Sequence, residues 1–262
     1  MKIRKFYINR IHIAFQGPEV ERISYPIIQI KADRAYIFIF QDESTEKFIK
    51  QYHLIEKQLK ESNIEVVQKG VNIHNYIEII QNISKIIKSE REENPNTEIF
   101  INLSVGTKLT AIAAMDACRF WDCIPYYVIA EHYISELEVT KNTIALSSGK
   151  MEIFQPPIFK LNKPKPNIIE ALKIIAVKEG GIHKKEFRKK LLAKNLLKIQ
   201  KKYDDPKDPN KLSAEYMAMN HQYLKPLQDE WEYIHVSDAR RNQKITLTEL
   251  GEEAVQIFKY LS

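Results

Sequence analysis

Along the first 155 residues the apolar positions switch period again and again. Continuous apolar runs, the mark of strands buried on both faces, alternate with runs spaced three and four apart, the mark of helices with one apolar face. Tyr7 to Phe15 is the first buried run, and it ends at the turn Gln16-Gly17-Pro18. Glu19 to Ala32 follows at helical spacing, with Val20, Ile23, Ile27, Ile28 and Ile30 apolar. Arg34 to Phe40 (RAYIFIF) predicts a second strand; after Gln41-Asp42-Glu43-Ser44 comes a helix through Phe48, Tyr52, Ile55 and Leu59. Ile64 to Gln68 predicts a third strand. Asn72 to Ser89 predicts a third helix with Ile73, Ile77, Ile80, Ile83 and Ile87 on one face, broken by Asn94-Pro95-Asn96. The segment EIFINL from Glu98 to Leu103 reads as strand four, residues 107 to 121 as an Ala-rich helix, and Pro125 to Ala130 as strand five.

Five such units without a long break predict an α/β fold with a doubly wound, mostly parallel Rossmann-like sheet; the segment is too short for an eight-fold barrel. Beyond it, Ser135 to Val139, Thr143 to Leu146 and Met151 to Phe154 are short β-type runs. Lys141-Asn142 and Ser147-Ser148-Gly149-Lys150 separate them, which predicts antiparallel hairpin structure at the sheet edge.

The pattern then changes. Gln155-Pro156-Pro157 and Lys163-Pro164-Lys165-Pro166 bracket a linker, giving a first domain over 1–155 and a second over 160–262. Asn167 is placed to cap a helix through Ile168, Leu172, Ile175 and Val177, closed by Gly180-Gly181. Ile182 to Lys194 predicts a second helix and Lys201 to Lys211 a polar loop. Ser213 opens a third helix carrying Leu224 and Leu227. Trp231 to Val236 and Lys244 to Leu247 predict two short strands, and Thr248 caps a last helix. Three helices, a two-stranded hairpin and a closing helix are the parts of a smaller winged helix-turn-helix domain. Trp231 stands where a small residue is more usual, and Pro226 inside the third helix predicts a kink.

Composition adds three constraints. Hydrophobic residues make up 44% of the 262 positions, enough for a core, and no apolar run approaches the roughly 18 residues of a membrane span. The basic and then apolar start lacks a small-residue cleavage site, so a cytoplasmic protein with no membrane partner is expected. Two cysteines, Cys118 and Cys123, are too few for a disulfide framework. A metal would need two more ligands, of which His132 is the nearest candidate, so two reduced thiols, no metal and no cofactor are expected. Net charge is +6. Residues 160–262 hold 21 Lys/Arg against 14 Asp/Glu, whereas the preceding residues hold 19 against 20. The basic surplus lies in the C-terminal part, which predicts a polyanionic partner there.

In a doubly wound sheet the ligand crevice lies outside the carboxyl ends of strands one and four. The turns that fall there are Gln16-Gly17-Pro18 and Asn102-Leu103-Ser104-Val105-Gly106-Thr107-Lys108. Thr107 is placed to cap helix four, and Lys108 adds a cation beside the positive helix end, a setting that favours phosphate. Gly106-Thr107-Lys108 has the wrong order for a Walker A loop and no G-x-G-x-x-G is present, so ATP hydrolysis and NAD binding are unsupported. A phosphate site and a well-capped helix start are both compatible with these residues.

The glycine turn of "HIAFQGPEVERISYPIIQIKADRAYIFIF", with its R-I-x-x-P-I helix, and the N-x-S/T-x-G-T-K turn after strand four resemble the CRISPR-associated Rossmann-fold (CARF) domains over about residues 7 to 131. The resemblance is to the regulators of that family that carry a C-terminal winged helix. It implies a homodimer with cyclic oligoadenylate, in tetra- or hexa-adenylate form, bound across the two-fold axis. Gln16, Gly17, Asn102, Ser104, Gly106, Thr107 and Lys108 would line that pocket. Val105 is a departure from the family's smaller residue and would narrow it. The function implied is a ligand-responsive, DNA-binding transcriptional regulator. Two alternatives stay open: a ring nuclease that cleaves the cyclic ligand by positioning and charge stabilisation from Ser104, Thr107 and Lys108, and a winged helix that docks protein. "YLKPLQDEWEYI" and "ITLTELGEEAV" resemble the entry to and exit from a wing. For double-stranded DNA the candidate contacts are His221, Gln222 and Lys225 on the third helix, and Arg240 and Arg241 at the wing tip. Residues 184–202, with nine Lys/Arg and one acid, are a candidate phosphate grip or a solvated face.

Overall fold

A computed structural model describes residues 9–41, 44–134, 146–159, 162–199, 209–239 and 241–260. The chain divides into two compact units, Met1–Leu161 and Asn162–Ser262.

In the first unit β1 (Arg10–Phe15), β2 (Arg34–Phe40), β3 (Glu65–Val71), β4 (Glu98–Asn102), β5 (Ile124–Tyr133) and β6 (Ser147–Phe154) form one sheet in the order β3-β2-β1-β4-β5-β6. The first five strands run parallel, and β6 pairs antiparallel with β5 at the edge. The crossovers are α1 (Val20–Gln29), α2 (Ser44–Glu61), α3 (Tyr76–Glu93) and α4 (Lys108–Trp121). With right-handed crossovers, the reversal of strand order at β1 puts α1 and α2 on one face and α3 and α4 on the other. The packing agrees: α1 lies against α2, and α3 against α4. Ala14, Ile23, Ile27, Ile37, Ile55 and Leu59 fill the core beneath α1 and α2. Ala113, Ala114 and Ala117 of α4 are fully buried, so the Ala-rich face does press inward.

Several boundaries differ from the sequence reading, each for a local reason. Helix α3 starts at Tyr76 because Asn75, not Asn72, caps it by accepting from the Glu78 amide at 3.0 Å. Ser147 to Lys150, expected as a turn, belongs to β6. Gly149 at φ +84° bends the strand past Glu131, whose carboxylate accepts from the Lys150 amide at 2.9 Å. The β-type runs expected over 135–139 and 143–145 lie outside the described residues.

One polar group sits inside the first unit's sheet. His12 is fully buried on β1, stacked on Phe100 at 4.8 Å between ring centroids, with Nδ1 3.2 Å from the Tyr126 hydroxyl. Burial, helped by the Arg10 charge, pushes its pKa down to about 3, so it stays neutral.

The second unit contains α5 (Pro166–Ala176), β7 (Ile182–His183), α6 (Lys184–Ala193), α7 (Pro209–Met219), β8 (Ile234–Val236), β9 (Lys244–Leu247) and α8 (Glu249–Phe258). The strands form an antiparallel sheet in the order β7-β9-β8, which completes a winged helix. Asn167 does not cap α5. Lys165 occupies that position and Pro166 the first helical one, where its fixed φ and missing N–H cost nothing. Ile182 and His183 are strand rather than helix because they pair with Ile245 and Lys244 of the wing. The third helix starts at Pro209 instead of Ser213.

Pro226 does not break the third helix. The chain passes from α7 into two π-helical turns, Asn220–Leu224 and Pro226–Glu230, where amides reach carbonyls five residues back, as from Lys225 to Asn220 and from Trp231 to Pro226. Widening absorbs a residue that can donate no hydrogen bond of its own. The buried pair Arg188–Glu215 joins α6 to α7.

Candidate functional site

Strand β4 is short because Asn102 turns the chain: its Oδ1 accepts from the Ser104 amide at 2.7 Å, in the manner of an Asx turn. Strand β5 continues past that point to Tyr133, so from Val128 onward it has no β4 backbone to pair with. Side chains fill the gap. Ser104 Oγ accepts from the Val128 amide at 2.6 Å, and Arg22 donates to the Val128 carbonyl through Nη2 at 2.9 Å and Nε at 3.2 Å.

Arg22 is also held at its backbone. Pro26 lies four residues on in α1 and has no N–H, so the Arg22 carbonyl loses its helical donor. Asn102 Nδ2 takes that place at 2.9 Å. Arg22, Asn102, Ser104 and Val128 therefore form a closed ring of hydrogen bonds that ties α1, the turn after β4 and β5 together at the carboxyl end of the sheet.

The rest of the turn is fixed by a capping box. Thr107 accepts from the Thr110 amide at 3.1 Å, and Thr110 Oγ1 accepts from the Thr107 amide at 2.8 Å. Gly106 takes φ +106°, a conformation that suits glycine, with its α-carbon facing Thr110 and Phe15. Among the described residues the amides of Gly106, Lys108 and Leu109 donate to no protein acceptor, and Gly106 and Lys108 are exposed. Open donors at a helix start beside an ammonium have the chemistry that favours an anion.

The structure separates the sequence-predicted residues by task. Gln16 is fully buried: its amide donates to Phe38 at 2.7 Å, and its side-chain oxygen accepts from Phe40 at 3.1 Å, so it binds the end of β2. Asn102 is equally buried and belongs to the ring. Val105 points into the core under α1 and α2 rather than into the crevice, with Gly17 directly against it. A Cβ on Gly17 would lie 2.3 Å from Val105 Cγ1. Gln16, Gly17, Asn102 and Val105 set the shape of the two turns, while Gly106, Thr107 and Lys108 present it, with Ser104 half-buried between. Arg22 escaped the sequence reading. A cation one position before Ile23 on the apolar side of α1, four residues before a proline, was the available signal.

In the second unit His221 and Lys225 are exposed on the third helix. Gln222 is not free to read a base. Its side chain donates to the Lys198 carbonyl at 2.6 Å and accepts from the Lys198 amide at 3.3 Å, tying the helix to the segment after α6. Arg241 is exposed, and Arg240 lies outside the described residues. Lys184 reaches Gln243 of the wing at 2.7 Å and lines two hollows beside the helix. One, of about 510 Å³, also touches His183, Lys185 and Asn220. The other, of about 290 Å³, touches Lys225 and Gln228. Both cysteines are buried free thiols; burial pushes the Cys118 thiol up and that of Cys123 to about 12. No group of three potential metal ligands occurs among the described residues, and no helix there is long and apolar enough to cross a membrane.

Residues 10–133 match the family described as HFX_2341_N-like, N-terminal, and residues 168–259 match the DUF6293 C-terminal winged helix domain. The two matched segments fall one in each compact unit. A curated relative, the uncharacterized protein MJ1513 of Methanocaldococcus jannaschii, is 29% identical over 133 residues, which are 48% of this chain and 40% of the relative. The match thus spans less than half of that protein. Among solved structures, Can2 from Sulfobacillus thermosulfidooxidans in complex with cyclic tetra-adenylate aligns with 97% of this chain and 65% of its own, at 14% identity and a TM-score of 0.38. Enterococcus italicus Csm6 bound to cyclic hexa-2'-fluoro-hexa-dAMP aligns with 97% and 77%, at 11% identity and a TM-score of 0.42. Likenesses at these scores bear on neither ligand nor activity.

Proposed function

We propose that the protein is a ligand-responsive DNA-binding regulator whose N-terminal unit senses a cyclic oligoadenylate, tetra- or hexa-adenylate, across a homodimer interface. The observation that carries this reading is the set of three open amides and Lys108 at the strand-order reversal, on a chain that also bears a basic-surplus winged helix. A crevice at that reversal is where doubly wound sheets take ligands, and open helix-start amides select phosphate. The resemblance of the motifs to the CARF domains supports a cyclic oligoadenylate as the phosphate carrier, and a ring of phosphodiesters lying on a two-fold axis would require two copies of the turn. DNA is the partner assigned to the second unit because exposed Lys225, Arg241 and the Lys184 hollows surround the recognition helix with cations and amides.

Binding is favoured over cleavage by where the hydroxyls point their lone pairs. Ser104 and Thr107 both accept from backbone amides, which commits them to holding the turn. Ligand and DNA affinities would then be coupled reciprocally. Calorimetric titration with cyclic tetra- and hexa-adenylate, followed by DNA binding with and without each, tests the proposal. No binding of either compound at micromolar concentration would overturn the ligand, and unchanged DNA affinity under saturation would overturn the regulation.

A further inference from the structure

We infer that Arg22 is a phosphate-contacting residue of the crevice, an inference that rests on the anion-binding reading of the Gly106–Lys108 turn. Its charge is the first reason. Only 6% of Arg22 is exposed, yet no carboxylate among the described residues pairs with it: the guanidinium meets the Val128 carbonyl and the rings of Tyr127 and Tyr133, 5.2 and 5.7 Å from its carbon. Elsewhere in this unit the buried acid Glu90 is answered directly, by Arg34 at 2.6 Å and by the Tyr36 hydroxyl. Removing a guanidinium from water without a counter-ion is unfavourable unless something else supplies negative charge. One carbonyl and two ring faces offset only part of that.

Its position is the second reason. Arg22 donates to Val128 where a continuation of β4 would have donated, so its guanidinium occupies the carboxyl end of that strand. Ser104 holds the other polar group of the same residue, Val128. The Arg22 guanidinium is thus linked through Val128, by two hydrogen bonds, to the turn whose amides are open. Nε and Nη2 are used, whereas Nη1 makes no hydrogen bond among the described residues. A planar donor fixed by a carbonyl on one edge and open on another is preorganised for a phosphodiester oxygen.

Rigidity is the third. The Pro26 gap and the Asn102 amide hold the Arg22 backbone, and the tyrosine rings hold the side chain, so little ordering remains when an anion arrives. The chemical class selected is a phosphodiester or free phosphate, with the cyclic oligoadenylate as its source under the proposed function. A merely structural staple between α1 and β5 would need only a neutral donor at this place.

The experiment uses the full chain as wild type, Arg22→Gln and Lys108→Ala. Each is titrated with cyclic tetra- and hexa-adenylate by calorimetry, and its thermal midpoint is followed with and without inorganic phosphate. The expected result is a loss of about tenfold or more in affinity for Arg22→Gln, with a flatter salt dependence. A variant that unfolds earlier but binds as wild type, with the same salt slope, would reduce Arg22 to a staple. If wild type binds neither cyclic compound, the proposed ligand falls and inorganic phosphate decides: a midpoint raised in wild type but not in Arg22→Gln supports the anion contact, and no difference overturns it. Should Arg22→Gln fail to fold, arginine-labelled wild-type protein replaces it. A shift of the Arg22 Nε resonance on adding the cyclic compounds or phosphate supports the contact, and an unmoved resonance overturns it.

Discussion

Gly17 and Val105 offer the sharpest test of how the two crevice turns are built. Gly17 does not need a left-handed φ; what it lacks is room, since a Cβ there would lie 2.3 Å from Val105 Cγ1. Val105 cannot retreat easily, because it is 6% exposed and packed among Val20, Ile23 and their neighbours under α1 and α2. Gly17→Ala should therefore destabilise the first unit by about 1–3 kcal/mol through overpacking. Val105→Ala alone removes two buried methyl groups and should cost about 1.5–2.5 kcal/mol. Together the changes should not add. Truncating Val105 removes the clashing carbon, and the next nearest atom to the new Cβ is the Gly106 amide nitrogen at 3.7 Å, ordinary contact. The double variant should match Val105→Ala within experimental error, a coupling of about 1–3 kcal/mol.

Urea unfolding of the full chain measures this. Trp121 reports on the first unit if Trp231 is replaced by Phe in all four proteins, because these are the two tryptophans of the chain. Ligand affinity should follow the same pattern, weakened in Gly17→Ala and restored in the double variant. Additive costs would mean that the turns do not touch as described, and the account of Val105 as a buried spacer would fail.

Three further outcomes follow from other parts of the molecule. Lys108→Ala should lower calorimetric affinity for cyclic oligoadenylate at least about tenfold while the thermal midpoint stays put, because the side chain is exposed; unchanged affinity would return the turn to a capped helix start. Replacing Arg240 and Arg241 by Ala should leave folding intact and flatten the salt dependence of DNA binding by about one unit of slope for each phosphate the wing no longer neutralises, read from titrations at several salt concentrations. His12 binds its proton about 3.5 pH units less readily in the fold than the ordinary 6.5, so the unfolded chain takes up that proton first as pH falls. Stability should then decline by about 1.4 kcal/mol per pH unit between roughly 6 and 4, and the difference between wild type and His12→Phe should be flat above pH 7 and sloped below 6; parallel curves would remove His12 as the cause.

Most of the first unit's fold was legible because its strands are continuous apolar runs and its helices have one clean face. RAYIFIF became β2 as the pattern placed it, and EIFINL became β4 one residue shorter, ending at Asn102. Thr107 was readable as a cap because a cap is a local property of a short stretch. The errors fall where a distant residue decides. Ile182 and His183 continue a helical pattern but become strand because the wing pairs with them. Helix α3 starts at Tyr76 rather than Asn72 because the Asn75 side chain meets the open Glu78 amide. Along the third helix of the second unit the π-helical turns change the angle per residue, so a regular helical wheel does not say that Gln222 faces Lys198.

At the crevice, residue type and residue task come apart. Gln16, Asn102 and Ser104 are the kinds of side chain that hold a nucleotide phosphate, and equally the kinds that replace missing backbone partners; only three-dimensional position distinguishes the two. A parallel sheet with strands of unequal length leaves one strand's edge groups open at the crevice, and they must be satisfied before any ligand arrives. Here β5 outruns β4, and Ser104 and Arg22 answer the open edge. That requirement also explains the proline. Pro26 weakens α1 at one hydrogen bond, and the carbonyl it frees is the one that anchors Asn102. A helix without it would have satisfied Arg22 internally and left the Asn102 amide group to find another acceptor. The R-I-x-x-P-I segment and the N-x-S-x-G-T-K turn are therefore two halves of one hydrogen-bonded unit, which is why the first cannot be understood as a helix alone. Among the described residues no carboxylate answers the charge that Arg22 carries into that unit.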